Sequence, residues 1–458
     1  MPSLQRRAAV APAMTDAAPA VTDAERGAPV AGRAGAQVRA VAGAFALRSG
    51  GLAVSLLVNV AVGRLLGAAG AGQYYLFVTW TNLLGTLVAL GLPFVALRGV
   101  ARLEHAGLPG AARHLALRGV RLALGAGALV VAGVLLLGTP LARLLLREAG
   151  AATLLGAAAV AGTLMAVMRV FAESLKARGR SGAGLTVEFT LVPSGILLVL
   201  AGAAALHRAS VPTAFAGYVG ASALACAVGA ALLLPGWRGA GENAPLERGP
   251  LLRFWGVDLL TISLAYLPFV LLPHFATGAQ VGEFGVAHRL VTLATIVQAV
   301  LASIFAPQFA RLWASRDGAG LRRALGASQG FALGAYLPLF VIFLAAGGAV
   351  LGVFGPAFRG ALPLLWIMSA AQLVNAATGL SGYLLYMTGH EHADLAGQGL
   401  ALVVGAGIAL ALGPTLGAEG VAWGYAGAVT VRSAWAFVAA RRVLARAPQA
   451  APVLAPAS

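Results

Sequence analysis

The 458 residues contain one cysteine, Cys226, and it lies in an apolar run. No intramolecular disulfide is possible, and the redox compartment cannot be read from it. Lysine is equally scarce: Lys176 is the single lysine among 32 basic residues, a skew that favours a GC-rich genome. Charged residues make up only 10% of the chain, against about 25% in soluble domains. No Gly-Lys-Ser/Thr triplet occurs, which excludes a Walker A loop and ATP-driven work by this chain alone. The seven histidines (105, 114, 207, 274, 288, 390 and 392) show no His-x-x-x-His spacing, and His390 and His392 share only Glu391. No metal site is therefore expected. The one Gly-x-Ser-x-Gly match, at 326–330 around Ser328, opens an apolar stretch instead of following a strand, so it lacks the context of a nucleophile elbow. No catalytic residue and no cofactor are expected.

Apolar sequence fills the rest. Hydrophobic residues reach 59% and the mean hydropathy is +0.86. In hydrocarbon every backbone N–H and C=O must be satisfied within its own segment, so runs of about 20 apolar residues become spanning helices. Twelve such runs are expected, at 49–66, 74–97, 122–141, 151–173, 185–205, 212–234, 255–276, 281–305, 327–348, 361–386, 394–413 and 417–440. With both termini placed inside, 24 of the 32 basic residues fall in the tails and alternate loops, and eight fall elsewhere. That asymmetry is the positive-inside pattern. It also explains the net charge of +17 better than nucleic-acid binding does. The expected class is an all-α polytopic membrane protein with about twelve transmembrane helices.

Residues 1–48 read as a disordered cytoplasmic tail, since the Ala/Pro-rich start has no apolar signal core. Residues 49–234 then form an N-terminal six-helix lobe, and 235–254, polar and rich in Pro and Gly, a cytoplasmic linker. Residues 255–440 form a C-terminal six-helix lobe, and 441–458 a second cytoplasmic tail. The halves echo each other: AGQYYLFVTWTNLL begins around Gly72 and VGEFGVAHRLVTLA around Gly282. Internal repeats of this kind are a common transporter plan, with the site between repeats.

The stretch GRLLGAAGAGQYYLFVTWTNLLGTLVALGLPFVALRGVAR (63–102) resembles the first hairpin of bacterial polysaccharide-repeat flippases. VGEFGVAHRL (281–290) resembles that family's eighth helix, and LGAEGVAWGYAGA (416–428) its last. The family belongs to the multidrug/oligosaccharidyl-lipid/polysaccharide exporter (MOP) superfamily, whose drug-exporting branch is the MATE transporters. The resemblance implies two six-helix lobes that flip an undecaprenyl-diphosphate-linked oligosaccharide across the bacterial inner membrane by alternating access. The flipped unit would serve O-antigen, capsule or exopolysaccharide assembly, beside polymerase and export components. The sequence departs from the pattern in its near lack of lysine and in Phe284, where tyrosine is frequent.

Ionisable groups inside spans are functional candidates because each costs free energy there. Arg64, near the outer end of the first span, and Arg289, in the outer half of the eighth, are expected to share one cavity and grip a diphosphate. A guanidinium offers the planar fork that phosphate oxygens fit. Arg98 and Arg311, at cytoplasmic helix exits, are candidates for its first contact. Asn82 and Gln298 are candidates for sugar hydroxyls, with interhelical bonding as the alternative. Asp258 and Glu188 are candidates for a coupling ion, with a salt bridge to a neighbouring arginine as the alternative. Arg169 and Glu173, four apart, are expected to pair along one helix, while Arg432 has no evident partner.

Two other functions compete. A cation-coupled drug exporter of the same fold would want acids in helices 1 and 2, yet residues 41–97 contain no Asp or Glu. A membrane-embedded polymerase or glycosyltransferase would want a large outer loop, and every expected outer loop is short.

Overall fold

The computed structural model describes residues 30–147, 151–236 and 248–446. They run as helices joined by short turns, the form a chain takes when no water is available to its backbone. In order these are α1 Val30–Ala89, α2 Leu92–His105, α3 Pro109–Leu146, α4 Ala152–Ala177, α5 Ser181–Leu185, α6 Leu191–Ala205 and α7 Val211–Leu233. The second half comprises α8 Arg248–Leu271, α9 Gly278–Val291, α10 Leu293–Ala314, α11 Gly318–Gly352, α12 Leu362–Thr378, α13 Ser381–Met387, α14 Glu391–Leu416 and α15 Ala418–Arg446.

Among the described residues, ten helical stretches are long and apolar enough to cross a membrane. One of them, Ala46–Ala89, has 44 residues, about 66 Å of helix or twice the hydrocarbon thickness. It breaks at Gly67, where φ is +67°. That conformation is open to glycine and strained for other residues, and it divides α1 into two arms. Adding α15, whose hydropathy its four arginines depress, brings the crossings to twelve. Large apolar side chains point outward as a lipid-facing surface would require: Leu136 is 83% and Leu129 77% exposed.

Three boundaries differ from the sequence reading. Residues 30–48, expected as part of a disordered tail, are helical and continue into the first crossing, because alanine-rich sequence sustains a helix once one is started. Residues 248–254 of the expected linker belong to α8, and 441–446 of the expected C-terminal tail to α15. Residues 1–29, 237–247 and 447–458 of those segments lie outside the described residues.

The echoed motifs meet. A Cβ on Gly72 would lie 2.1 Å from the Gly278 carbonyl oxygen and 3.0 Å from the Gly282 nitrogen. A Cβ on Gly282 would lie 2.0 Å from the Ala68 carbonyl oxygen and 3.1 Å from the Gly72 nitrogen. The near-identical reciprocal distances are those a two-fold relation between repeats produces. Helix backbones touch here with no side chain between them, an approach that only small residues permit.

Replacing Gly72 or Gly282 by alanine should therefore destabilise the bundle by about 1–3 kcal/mol, the usual cost of overpacking. Both nearest atoms are backbone and cannot swing away. Thermal unfolding in detergent measures this, with Gly278→Ala, whose added Cβ meets nothing within 4 Å, expected to be near neutral. Equal stability of all three variants would contradict the contact.

Candidate functional site

The approach at Gly72 and Gly282 determines which face of α9 looks into the N-terminal lobe. Gly282, Gly285 and Arg289 are spaced i, i+3, i+7 and lie on one helical face. Gly285 accommodates the Tyr75 ring, which an added Cβ would overlap at 2.0 Å. Two residues further, α9 stops at Val291 and α10 restarts at Leu293. The Thr292 hydroxyl donates to the Arg289 carbonyl at 2.9 Å, and that of Thr295 to the Thr292 carbonyl at 2.6 Å. Thr292 keeps helical φ/ψ and its N–H donates to the His288 carbonyl at 3.0 Å, so Arg289 sits one turn before a local tightening of one long helix, Gly278–Ala314.

Arg289 lines a cavity of about 390 Å³ in the N-terminal lobe, which α8 helps to close. Tyr74, Tyr218 and Tyr266 share the wall, and the Tyr75 ring centre lies 6.0 Å from the guanidinium carbon. The buried Arg289 Nε has no hydrogen-bond partner, nor have the wall hydroxyls of Thr86 and Ser222. Among the described residues no carboxylate forms an ion pair with Arg289.

Of the residues singled out from the sequence, Arg289, Asn82, Asp258 and Glu188 all line this cavity. Asn82 donates its amide to the Val78 carbonyl one turn back, at 2.7 Å, which leaves its oxygen for the cavity. Both acids contact another cation, although Lys176 is shared between two carboxylates. Asp258 pairs with Arg169 at 3.2 Å. Glu188 contacts Lys176, which also holds Glu173 at 2.9 Å. The expected Arg169–Glu173 pair is therefore replaced by a bridge from α4 to α8. Glu188 is delivered by a π-helical turn, Thr186–Thr190, a local widening that often marks functional positions.

Arg64 does not share the cavity. Its Nε donates to the Val353 carbonyl at 2.8 Å, and the side chain is otherwise exposed. Val353 follows the end of α11, where the last carbonyls of a helix lack intrahelical partners. The guanidinium satisfies one of them and ties the two lobes together. Arg98 is exposed beside the Phe254 ring, 5.7 Å away, and Arg311 is exposed in the last turn of α10. Neither lines a described cavity. Gln298 lines a different cavity, within the C-terminal lobe.

The sequence reading missed Asp394, placed at a span edge but 1% exposed in the structure. It accepts from Gln398 at 2.8 Å and Tyr386 at 3.1 Å, and its Oδ2 lies 4.0 Å from Arg432. It is the partner that Arg432 lacked. The i, i+4 spacing of Asp394 and Gln398 was the available signal. Among the described residues no cluster of His, Cys, Asp and Glu suits a metal ion.

The fold is similar to that of solved MATE transporters, two six-helix lobes. An inward-facing multidrug-resistance MATE family transporter superposes with a TM-score of 0.72 at 14% identity, covering 88% of this chain and 95% of its own. A Vibrio cholerae MATE transporter gives 0.60 at 16% identity over 88% and 95%. A MOP-superfamily transporter from Pyrococcus furiosus, described by the reverse polarity of its binding pocket, gives 0.60 at 16% over 88% and 95%. No protein-family model and no curated protein matches the chain.

The α4–α8 bridge makes a measurable claim. Arg169→Met and Asp258→Asn should each lower stability, and the double variant should lose less than the sum, with a coupling of about 1 kcal/mol or more. Additive losses in a thermal-unfolding cycle would show that the two side chains do not interact.

Proposed function

We propose that the chain is a membrane transporter of an anionic lipid-linked saccharide, of the undecaprenyl-diphosphate-oligosaccharide class, moved across the bacterial inner membrane by alternating access. Arg289 carries the reading: among the described residues it is a guanidinium without a carboxylate partner, in a cavity whose two acids each contact another cation. A charge in such a place costs free energy unless a ligand compensates it. Diphosphate oxygens do so through paired charge-assisted hydrogen bonds. The tyrosines and the unpartnered hydroxyls of Thr86 and Ser222 would extend the contact to the cargo's polar groups.

The fold suits a cation-coupled multidrug exporter equally well, and charge separates the two readings. An exporter of cationic drugs needs an available carboxylate in the cavity. Here Asp258 is committed to Arg169 and Glu188 to Lys176, which also argues against either as the coupling-ion site. Directionality would then come from product removal and the membrane potential, worth about 2.3 kcal/mol per charge per 100 mV. Such a potential, negative inside, favours outward movement of a negatively charged headgroup.

In proteoliposomes carrying fluorescent undecaprenyl-diphosphate-linked oligosaccharide, Arg289→Ala should reduce flipping at least tenfold. Arg289→Lys should restore only part of it, because ammonium lacks the planar fork. Arg64→Ala should retain most activity. Unaltered flipping by Arg289→Ala, or export of a cationic dye that depends on Asp258, would reject the reading in favour of the exporter.

A further inference from the structure

A second cavity, of about 230 Å³, lies within the C-terminal lobe. The helices α8 and α9 form the partition between the two chambers. On α8, Asp258, Ile262 and Tyr266 face the first, while Thr261, Ala265 and Pro268 face the second. On α9 the neighbours Arg289 and His288 divide in the same way. Successive helical residues point about 100° apart, so one helix serves both chambers.

The chemistry of the second chamber differs from that of the first. Gln372 donates to the Tyr425 hydroxyl at 2.6 Å, Asn375 to the Gln372 carbonyl oxygen at 2.9 Å, and Ser433 to the Asn375 carbonyl oxygen at 3.1 Å. The Thr261 hydroxyl lies 2.9 Å from the Val257 carbonyl of its own helix and 3.1 Å from the Gln398 side-chain oxygen, and its one proton serves either. Each amide has two N–H groups and two lone pairs, so this chain of bonds leaves donors and acceptors unused. Gln298 makes a single long contact, 3.5 Å to the Asn375 carbonyl. His288 is only 9% exposed, and its Nδ1 has no partner. The charges here answer each other, Arg432 lying beside Asp394.

Polar residues that merely join helices pack against one another and need no void. The wall is mostly apolar with these polar groups set in it, and a void of this volume with unused donors and acceptors holds water or a ligand. Arg432, the one formal charge on its wall, has the Asp394 carboxylate 4.0 Å away, so charge is not its main means of selection. Surplus donors and acceptors together match hydroxyl groups, which do both. Small residues, Gly405, Ala409, Gly424 and Ala428, give an apolar strip for a ring's C–H face. The volume is about seven or eight times the ~30 Å³ of one liquid water, which suits one sugar ring and not a chain of them.

We propose that this C-terminal cavity binds a neutral polyhydroxylated group the size of a single monosaccharide. Its part in transport rests on the lipid-linked-saccharide reading, but the binding itself does not require Arg289.

The test uses the purified full chain in nanodiscs, with free glucose, galactose and N-acetylglucosamine as probes followed by saturation-transfer NMR. Inorganic pyrophosphate is titrated into the same samples. The native chain should transfer saturation to at least one sugar, and Gln298→Leu and Asn375→Leu should reduce it at least tenfold. Arg289→Ala should leave sugar binding intact while losing pyrophosphate. Retained pyrophosphate binding shows that a cavity variant is folded; if Asn375→Leu is not, Gln298→Leu decides alone. No transfer to any of the three sugars, transfer that survives the folded cavity variants, or transfer lost only in Arg289→Ala would overturn the proposal. Sugar binding of the expected pattern without pyrophosphate binding would uphold it while removing the anion role of Arg289.

Discussion

The contact between Gly72 and Gly282 governs much of what surrounds it. Two helix backbones from opposite halves touch with no side chain between them. The register of α9 against the N-terminal lobe follows from that touch. Gly285 falls one turn on, where the Tyr75 ring fills the gap, and Arg289 falls two turns on, at the wall of the N-terminal cavity. A side chain at either glycine would separate the helices and change what Arg289 faces. The small-residue content of the chain, 61 glycines in all, thus bears on the site as well as on packing.

The second organising constraint is electrostatic. Each ion in hydrocarbon must find compensation, and most of those here find it inside the bundle. Asp258 has Arg169, Glu188 has Lys176, Asp394 has Arg432, and Arg64 has a helix-end carbonyl. Among the described residues Arg289 has the Tyr75 face, the Tyr266 hydroxyl and no acid. Its isolation gains meaning from the pairing of the others, since in a bundle of scattered unpaired charges it would stand for nothing.

Much of the fold was legible because membrane insertion imposes a strict code on sequence: apolar length sets the crossings. Residues 30–48 of the expected tail are helical because alanine favours helix, whereas the charges there suggested disorder. Among the site residues, Arg289, Asn82, Asp258 and Glu188 line one cavity, in the N-terminal lobe and not between the repeats, where the repeat pattern put the site. Arg64 does not line it; pairing it with Arg289 by depth ignored the unpaired carbonyl at Val353 across the lobe boundary. Residue spacing reports only neighbours on one helix. For that reason it favoured Arg169–Glu173 over the bridge to Asp258, and it left Asp394 hidden at a span edge.

The central claim is that Arg289 is the anchor for a diphosphate. A structure of the chain with an isoprenoid diphosphate bound tests it most directly. The account predicts phosphate oxygens about 3 Å from the Arg289 guanidinium, with the Arg169–Asp258 and Lys176–Glu188 pairs intact. Diphosphate held at Arg64, Arg98 or Arg311 with Arg289 unoccupied, or a protein carboxylate closed onto Arg289, would contradict it.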